Sequence, residues 1–190
     1  MKKISLFLPI LILALLILPA CSKEKVEHEG YVLAENTGGD FDFYYPEGWE
    51  AERADAGFVQ VHVSDTDFSN VSVSAINFAG RYNDLKSYVT ERYFKEIQEN
   101  FKDAAGVNNE DGTLRITALQ IDGYDAVYFD YSAPVFTADS GVQQYAFRTY
   151  LISNGGNVYN ITYTANQTEK DLFGEHLEQV KKMVEYFRFR

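Results

Sequence analysis

Two short turn signals constrain this chain more than anything else in it. Only Asp122-Gly123 separates the segments TLRITALQI and YDAVYFDYSA, and only Asn154-Gly155-Gly156 separates QYAFRTYLIS from NVYNITYTA. Glycine at such sites tolerates the positive φ that a tight hairpin turn demands, so each pair reads as two antiparallel strands. A third hairpin follows from period two. Val59, Val61 and Val63 alternate with Gln60, His62 and Ser64, and after the polar run DTDFSN, Val71, Val73 and Ala75 alternate with Ser72 and Ser74. With FDFYYP, about seven segments read as extended.

Two other stretches carry helical spacing. Leu85, Val89, Tyr93, Ile97 and Phe101 recur at every fourth position, with Asn83 placed as an N-cap. Phe173, Leu177, Val180, Val184 and Phe187 follow a 4-3-4-3 spacing, and Thr168 with Asp171 three residues on imitates a capping box. Hairpins combined with two amphipathic helices define an α+β domain, an antiparallel β-sheet of about six to seven strands flanked by helices. The chain's 14 tyrosines and 14 phenylalanines supply the apolar area for its core. The single cysteine excludes an intrachain disulfide, so packing alone must hold the fold.

That cysteine, Cys21, follows a segment of its own kind. Met1-Lys2-Lys3 is succeeded by an apolar block from Ile4 to Leu18, interrupted only by Ser5 and Pro9, and then by Leu18-Pro19-Ala20-Cys21. This is a charged n-region, an h-region and small residues before a break. The block lies at the short end of the roughly 17 to 25 residues that span a bilayer, and Pro19 ends it. Leu-Pro-Ala before cysteine resembles the lipobox of bacterial lipoprotein signal peptides, which implies cleavage between Ala20 and Cys21 and a diacylglyceryl group on the Cys21 thiol. Two acyl chains hold a protein on a membrane without a polybasic second signal. That matters for a chain of formal net charge −11 that loses Lys2 and Lys3 with the signal peptide. The expected organisation is a signal peptide over 1–20, a flexible acidic spacer over 21–39 and one α+β domain over 40–190. The expected location is the extracytoplasmic face of the cell membrane, with the membrane held through lipid on Cys21.

The stretch Phe41-Asp42-Phe43-Tyr44-Tyr45-Pro46-Glu47-Gly48-Trp49 resembles the entry to the PsbP/Mog1-like fold, where a strand, a proline turn and a tryptophan open the domain. The helix at 83–103, the IDGYDAVYFDY hairpin, the long YAFRTYLI hairpin and a terminal helix running into VEYFRF follow in that family's order, so the likeness covers 41–190. It implies an α/β/α sandwich, and a family used mostly to bind other proteins rather than for catalysis. Its members include extrinsic subunits of photosystem II, small-GTPase binders and bacterial lipoproteins, and the lipobox points to the last group. No residue here matches a photosystem or GTPase contact, so the resemblance transfers no site.

The chemistry-bearing residues give no reaction. His28, His62 and His176 are far apart without an His-x-x-x-His or cysteine partner, and read as solvated histidines rather than metal ligands. DTDFSN is faintly like a calcium loop, but Asn70 stands where glycine is expected and Ile76 at position twelve cannot ligate, so it reads as a polar turn. No Gly-x-Ser-x-Gly elbow is present, and Glu110-Asp111 reads as a solvated loop pair. Net negative charge disfavours nucleic acid, because phosphate neutralisation supplies most of that affinity. Tyr44, Tyr45 and Trp49 around Pro46 are candidates for an aromatic partner-binding patch, or equally for the core, with Trp49 the more core-like. The expectation is therefore a membrane-anchored, extracytoplasmic, non-catalytic protein-binding or accessory module, with no cofactor and no metal. The alternatives are a carrier of a small apolar or lipidic ligand, or a photosystem II extrinsic-subunit-like protein if the source is photosynthetic.

Overall fold

The structure, a computed structural model, describes residues 27 to 190 apart from 36, 37, 39, 56, 65, 66, 68, 78–83, 108–111, 138–140 and 168–171. Cys21, Ala20, Asn83, Glu110, Asp111, Thr168 and Asp171, and the expectations placed on them, lie outside the described residues.

The hairpins form as their turns require. Strand β8 (Thr117–Ile121) turns through Asp122 and Gly123, with φ of 51° and 80°, into β9 (Tyr124–Thr137). Strand β10 (Gly141–Asn154) turns through Gly155 and Gly156, with φ of 60° and 85°, into β11 (Asn157–Asn166). Two positive φ values in succession give the turn whose twist matches that of the strands on either side. The valine hairpin is β5 (Phe58–His62) on β6 (Asn70–Asn77), with Val59 opposite Val73 and Val61 opposite Val71.

Together with β4 (Glu50–Asp55) and β7 (Ala105–Gly106), these strands build one sheet of eight, in the order β4-β5-β6-β11-β10-β9-β7, with β8 also on β9. Every pairing in it is antiparallel. The two strands of this sheet missing from the expected set are β4, whose EAERAD sequence shows no apolar alternation, and the two-residue β7, which is too short to carry a period.

The helices lie on opposite faces. Helix α1 begins as α-helix at Leu85–Tyr88, passes through a π-helical stretch at Val89–Tyr93 and returns to α-helix at Phe94–Asn100. Its N-cap is Asp84, whose carboxylate accepts from the Ser87 N–H at 2.8 Å, rather than Asn83. A four-residue apolar step drifts around an ideal helix of 3.6 residues per turn; the wider π turn restores the alignment and keeps Leu85, Val89 and Ile97 buried. Helix α2 (Leu172–Tyr186) buries Val180, Met183 and Val184, with Phe187 just beyond, while Phe173 and Leu177 are half-buried.

Alternation sorts the sheet residues between these two layers. Tyr150, Ile152, Tyr159, Ile161 and Tyr163 pack on the α2 side, and Val127, Phe129, Phe147, Leu151 and Val158 on the α1 side. The fold is an α/β/α sandwich.

Part of the stretch expected as a spacer, 21–39, belongs to the fold. Within it, β1 (Tyr31–Leu33) pairs with β3 (Tyr44–Pro46), Ala34 is buried, and the His28 ring stacks on Tyr186 at 3.7 Å. Three apolar residues in a polar stretch are too few to show strand periodicity. The C-terminus returns to the same end: β12 (Arg188–Phe189) pairs with β2 (Phe41–Asp42), and the Phe41 and Phe187 rings stack at 5.3 Å.

Candidate functional site

Helix α2 covers the middle of the sheet but not its β8 corner, and the uncovered strip is a groove of about 650 Å³, open to solvent. Tyr128, Arg148 and Tyr150 form its floor, Leu119 to Gly123 one wall, and Lys181, Val184, Glu185 and Arg188 the other. The two tyrosine rings lie 5.7 Å apart. Between their strands, Arg148 donates two hydrogen bonds to Asp130, its direct cross-strand partner, through Nε and Nη2 at 2.6 Å each. Both side chains are nearly buried, at 12% and 7% exposure. The Arg148 guanidinium also lies 5.0 Å from the centre of the Tyr128 ring, within cation–π range. Its hydrogen bonds to Asp130 raise the Arg148 pKa beyond its already high value, and burial pushes the Tyr150 phenol up.

The rim charges are engaged as well. Asp122 accepts from the Phe189 N–H at 2.8 Å and stands 3.7 Å from Arg188. Arg188 donates to the main-chain oxygens of Glu185 and Phe187, and Lys181 to Glu178, all at 2.6 Å. Such a site offers flat amphipathic rings, apolar walls and a rim of compensated charge. That composition suits the recognition of a side chain or short segment.

The aromatic candidates fall elsewhere. Tyr44 and Trp49 are core residues, 5% and 6% exposed, and Tyr45 beside them is half-buried, so the three rings do not lie together on the surface. Trp49 meets the His176 ring edge-on at 5.7 Å. The histidines are not solvated either. His28 is held by the Tyr186 stack, His62 lies 3.6 Å from Glu50, and His176 Nε2 lies 2.9 Å from Asp67. Asp67, in the run read as a polar turn, ties the β5–β6 loop to α2 and also accepts from the Ser69 N–H at 2.9 Å. Among the described residues, no group of three His, Cys, Asp or Glu is placed to hold a metal, and no helix is long and apolar enough to cross a membrane.

Sequence reasoning passed over Arg148 and Asp130, though a signal existed. Arg148 is the one charge in β10, and Asp130 stands opposite it in β9, each seven positions from the Thr137–Gly141 pair. Among the described residues, the most exposed large apolar side chains, Phe136 and Val142, pair across the far end of that ribbon. Two side chains are far less than the ~800 Å² per partner of a stable interface.

No protein-family model matches this sequence, and no curated protein sequence matches it. Solved structures do. The cyanobacterial PsbP (CyanoP) of Synechocystis sp. PCC 6803 is similar at TM-score 0.54 and 18% identity, over 90% of this chain and 99% of that one. The Ran-binding protein Mog1p of Saccharomyces cerevisiae is similar at TM-score 0.52 and 14% identity, over 83% and 94%. This chain also spans 46% of a longer Bacteroides thetaiotaomicron VPI-5482 protein, at TM-score 0.45 and 15% identity over 80% of this chain, a likeness too low to argue from. The chain has the PsbP/Mog1-like fold, as its opening strand, proline turn and tryptophan imply.

Proposed function

We propose that this is a lipid-anchored, extracytoplasmic, non-catalytic binding module whose docking site is the groove between α2 and the β8 corner. The groove itself carries this reading. Asp122, Asp130, Arg148, Lys181 and Arg188 are engaged in ion pairs and hydrogen bonds, while the half-buried Tyr128 and Leu119 stay available to a partner. An open groove favours a protein partner over an enclosed small-molecule cargo. The fold likeness to a Ran-binding protein and to CyanoP agrees with an accessory role without naming the partner. The anchor rests on the Leu18-Pro19-Ala20-Cys21 resemblance alone.

The two parts separate experimentally. Cys21→Ser is expected to leave an unprocessed precursor without diacylglyceryl label, and label that persists in the variant ends the anchor reading. Membrane pull-downs with wild type, Tyr128→Ala and Lys181→Glu test the groove. Each variant is expected to lose at least tenfold of a partner recovered by wild type, with an unchanged melting temperature for Lys181→Glu. Equal recovery by all three removes the groove from the function.

A further inference from the structure

A sheet edge exposes main-chain N–H and C=O groups that pair with another chain unless something prevents it. This sheet protects β4 and β7 and leaves β8 bare. At β4, Glu50-Ala51-Glu52-Arg53-Ala54-Asp55 puts four charges into six residues, and the register shifts between Ala51 and Arg53. Strand β7 is two residues long and covered: the Gly106 N–H donates to the Gly112 carbonyl at 2.8 Å, and a Cβ on Gly106 would stand 2.2 Å from the Thr113 oxygen. Strand β8, Thr117-Ala118-Leu119-Gln120-Ile121, has no charge, no proline and no bulge, and among the described residues nothing pairs with its outer side.

The turn fixes what that edge offers. Ile121 and Tyr124 flank a two-residue hairpin turn and exchange hydrogen bonds, so Thr117, Leu119 and Ile121 direct their main-chain groups to β9. Ala118 and Gln120 therefore direct theirs outward. Side chains alternate in the perpendicular sense: Leu119 and Ile121 are turned to the groove, while Ala118 and Gln120 are exposed, Gln120 still bordering the groove at its edge.

We propose that β8 is an acceptor edge, to which an extended segment of a partner polypeptide adds as the next strand, with alternate side chains lying beside Leu119 and Ile121 along the groove. This rests on the groove being the docking site. The segment it fits has no proline at its paired positions and aliphatic or aromatic residues at every second one. Arg115, exposed and the one charge in 112–121, favours an acidic residue in that segment. A second copy of the chain fits poorly. Chains of net charge −11 repel, and a second β8 brings only Leu119 and Ile121, which its own groove wall already uses.

The test pans a phage-displayed random decapeptide library against the full chain in detergent micelles. Synthetic, fluorescein-labelled forms of the recovered peptides are then measured by anisotropy. N-methylating their amides one at a time is expected to weaken binding tenfold or more at every second position and less than twofold between. Gln120→Pro, which removes an outward donor and spares the β9 bonds, is expected to cost tenfold or more without altering the circular dichroism. Failure to enrich peptides, an N-methyl scan without a two-residue period, or peptide binding that survives Gln120→Pro overturns the proposal. So does a chain dimer in sedimentation that Gln120→Pro abolishes. Should membrane-partner binding fall with Lys181→Glu while Gln120→Pro and the scan leave peptide and partner untouched, the groove reading stands and the added strand does not.

Discussion

The two faces of the sheet handle interior polarity in opposite ways. On the α2 face the polar group is ionic, Asp130 with Arg148, and it borders the open groove. On the α1 face it is a neutral chain: Asn160 Nδ2 donates to Tyr93 Oη at 3.0 Å, Thr162 Oγ1 donates to Asn160 Oδ1 at 2.8 Å, and the Thr149 and Thr162 hydroxyls lie 3.1 Å apart. Beside it the Tyr131 ring stacks on Phe147 at 4.6 Å. Burial, then the neighbouring Tyr93, push the Tyr131 phenol well above its ordinary range, so it stays a neutral donor. Desolvating an ion costs several kcal/mol against about 1 to 3 for a neutral group. The ionic pair borders the open groove, and the neutral chain lies between α1 and the sheet, with Thr149 buried and Tyr93, Asn160 and Thr162 half-buried.

Removing one ion sharpens that contrast most. Asp130→Ala leaves a guanidinium nearly buried and unpaired, and is expected to cost about 3 to 5 kcal/mol in urea unfolding. Asp130→Leu with Arg148→Met is expected to restore most of the loss. A single change costing under ~1 kcal/mol means that the pair is solvated and the faces do not differ. Next comes the wrapping of the α2 side by the N-terminal segment. A chain begun at residue 37 loses β1 and the His28–Tyr186 stack, and is expected to be less stable by on the order of 2 kcal/mol than one begun at residue 27. Equal melting temperatures return 27–36 to the spacer. On the α1 face, Tyr93→Phe strips the acceptor from Asn160 and is expected to cost about 1 to 2 kcal/mol. A loss as large as that of Asp130→Ala breaks the comparison.

What the sequence carried legibly was local. Asp122-Gly123 and Gly155-Gly156 announce their turns because positive φ is a property of one or two residues, and the Val180, Val184 and Phe187 stripe announces its face because the helical period is intrinsic to the chain. The misplaced readings depend on contacts between distant residues. His176 finds Asp67 across 109 positions, which no spacing rule sees, and so passes for a solvated histidine. Tyr44 and Trp49 share a proline turn with Tyr45, and only the packing of α2 and β3 decides which rings are covered. The groove was illegible for the same reason, since its walls come from the β8–β9 turn and a helix some sixty residues later.

The smallest expected effect separates the faces by pH. Burial alone would raise the Asp67 carboxyl, but hydrogen bonds from Ser69 and then from His176 outweigh it and hold the group below the ordinary carboxylate value. A carboxyl depressed in the fold contributes stability that is present above its unfolded pKa, about 3.9, and is lost as pH falls through its folded value. The latch between the β5–β6 loop and α2 therefore weakens in that acid window, while the α1 seam, made of hydroxyls and an amide, has nothing to titrate there. Asp67→Asn is expected to lower stability at pH 7 by about 1 kcal/mol. Its cost should shrink as pH falls from about 3.9 through the depressed folded value, so that the wild-type and variant curves converge as the wild-type carboxyl protonates. Tyr93→Phe should show a constant offset over the same range. If the Asp67→Asn offset is also constant between pH 3 and 7, the loop is held by shape rather than by charge, and acid does not distinguish the two faces.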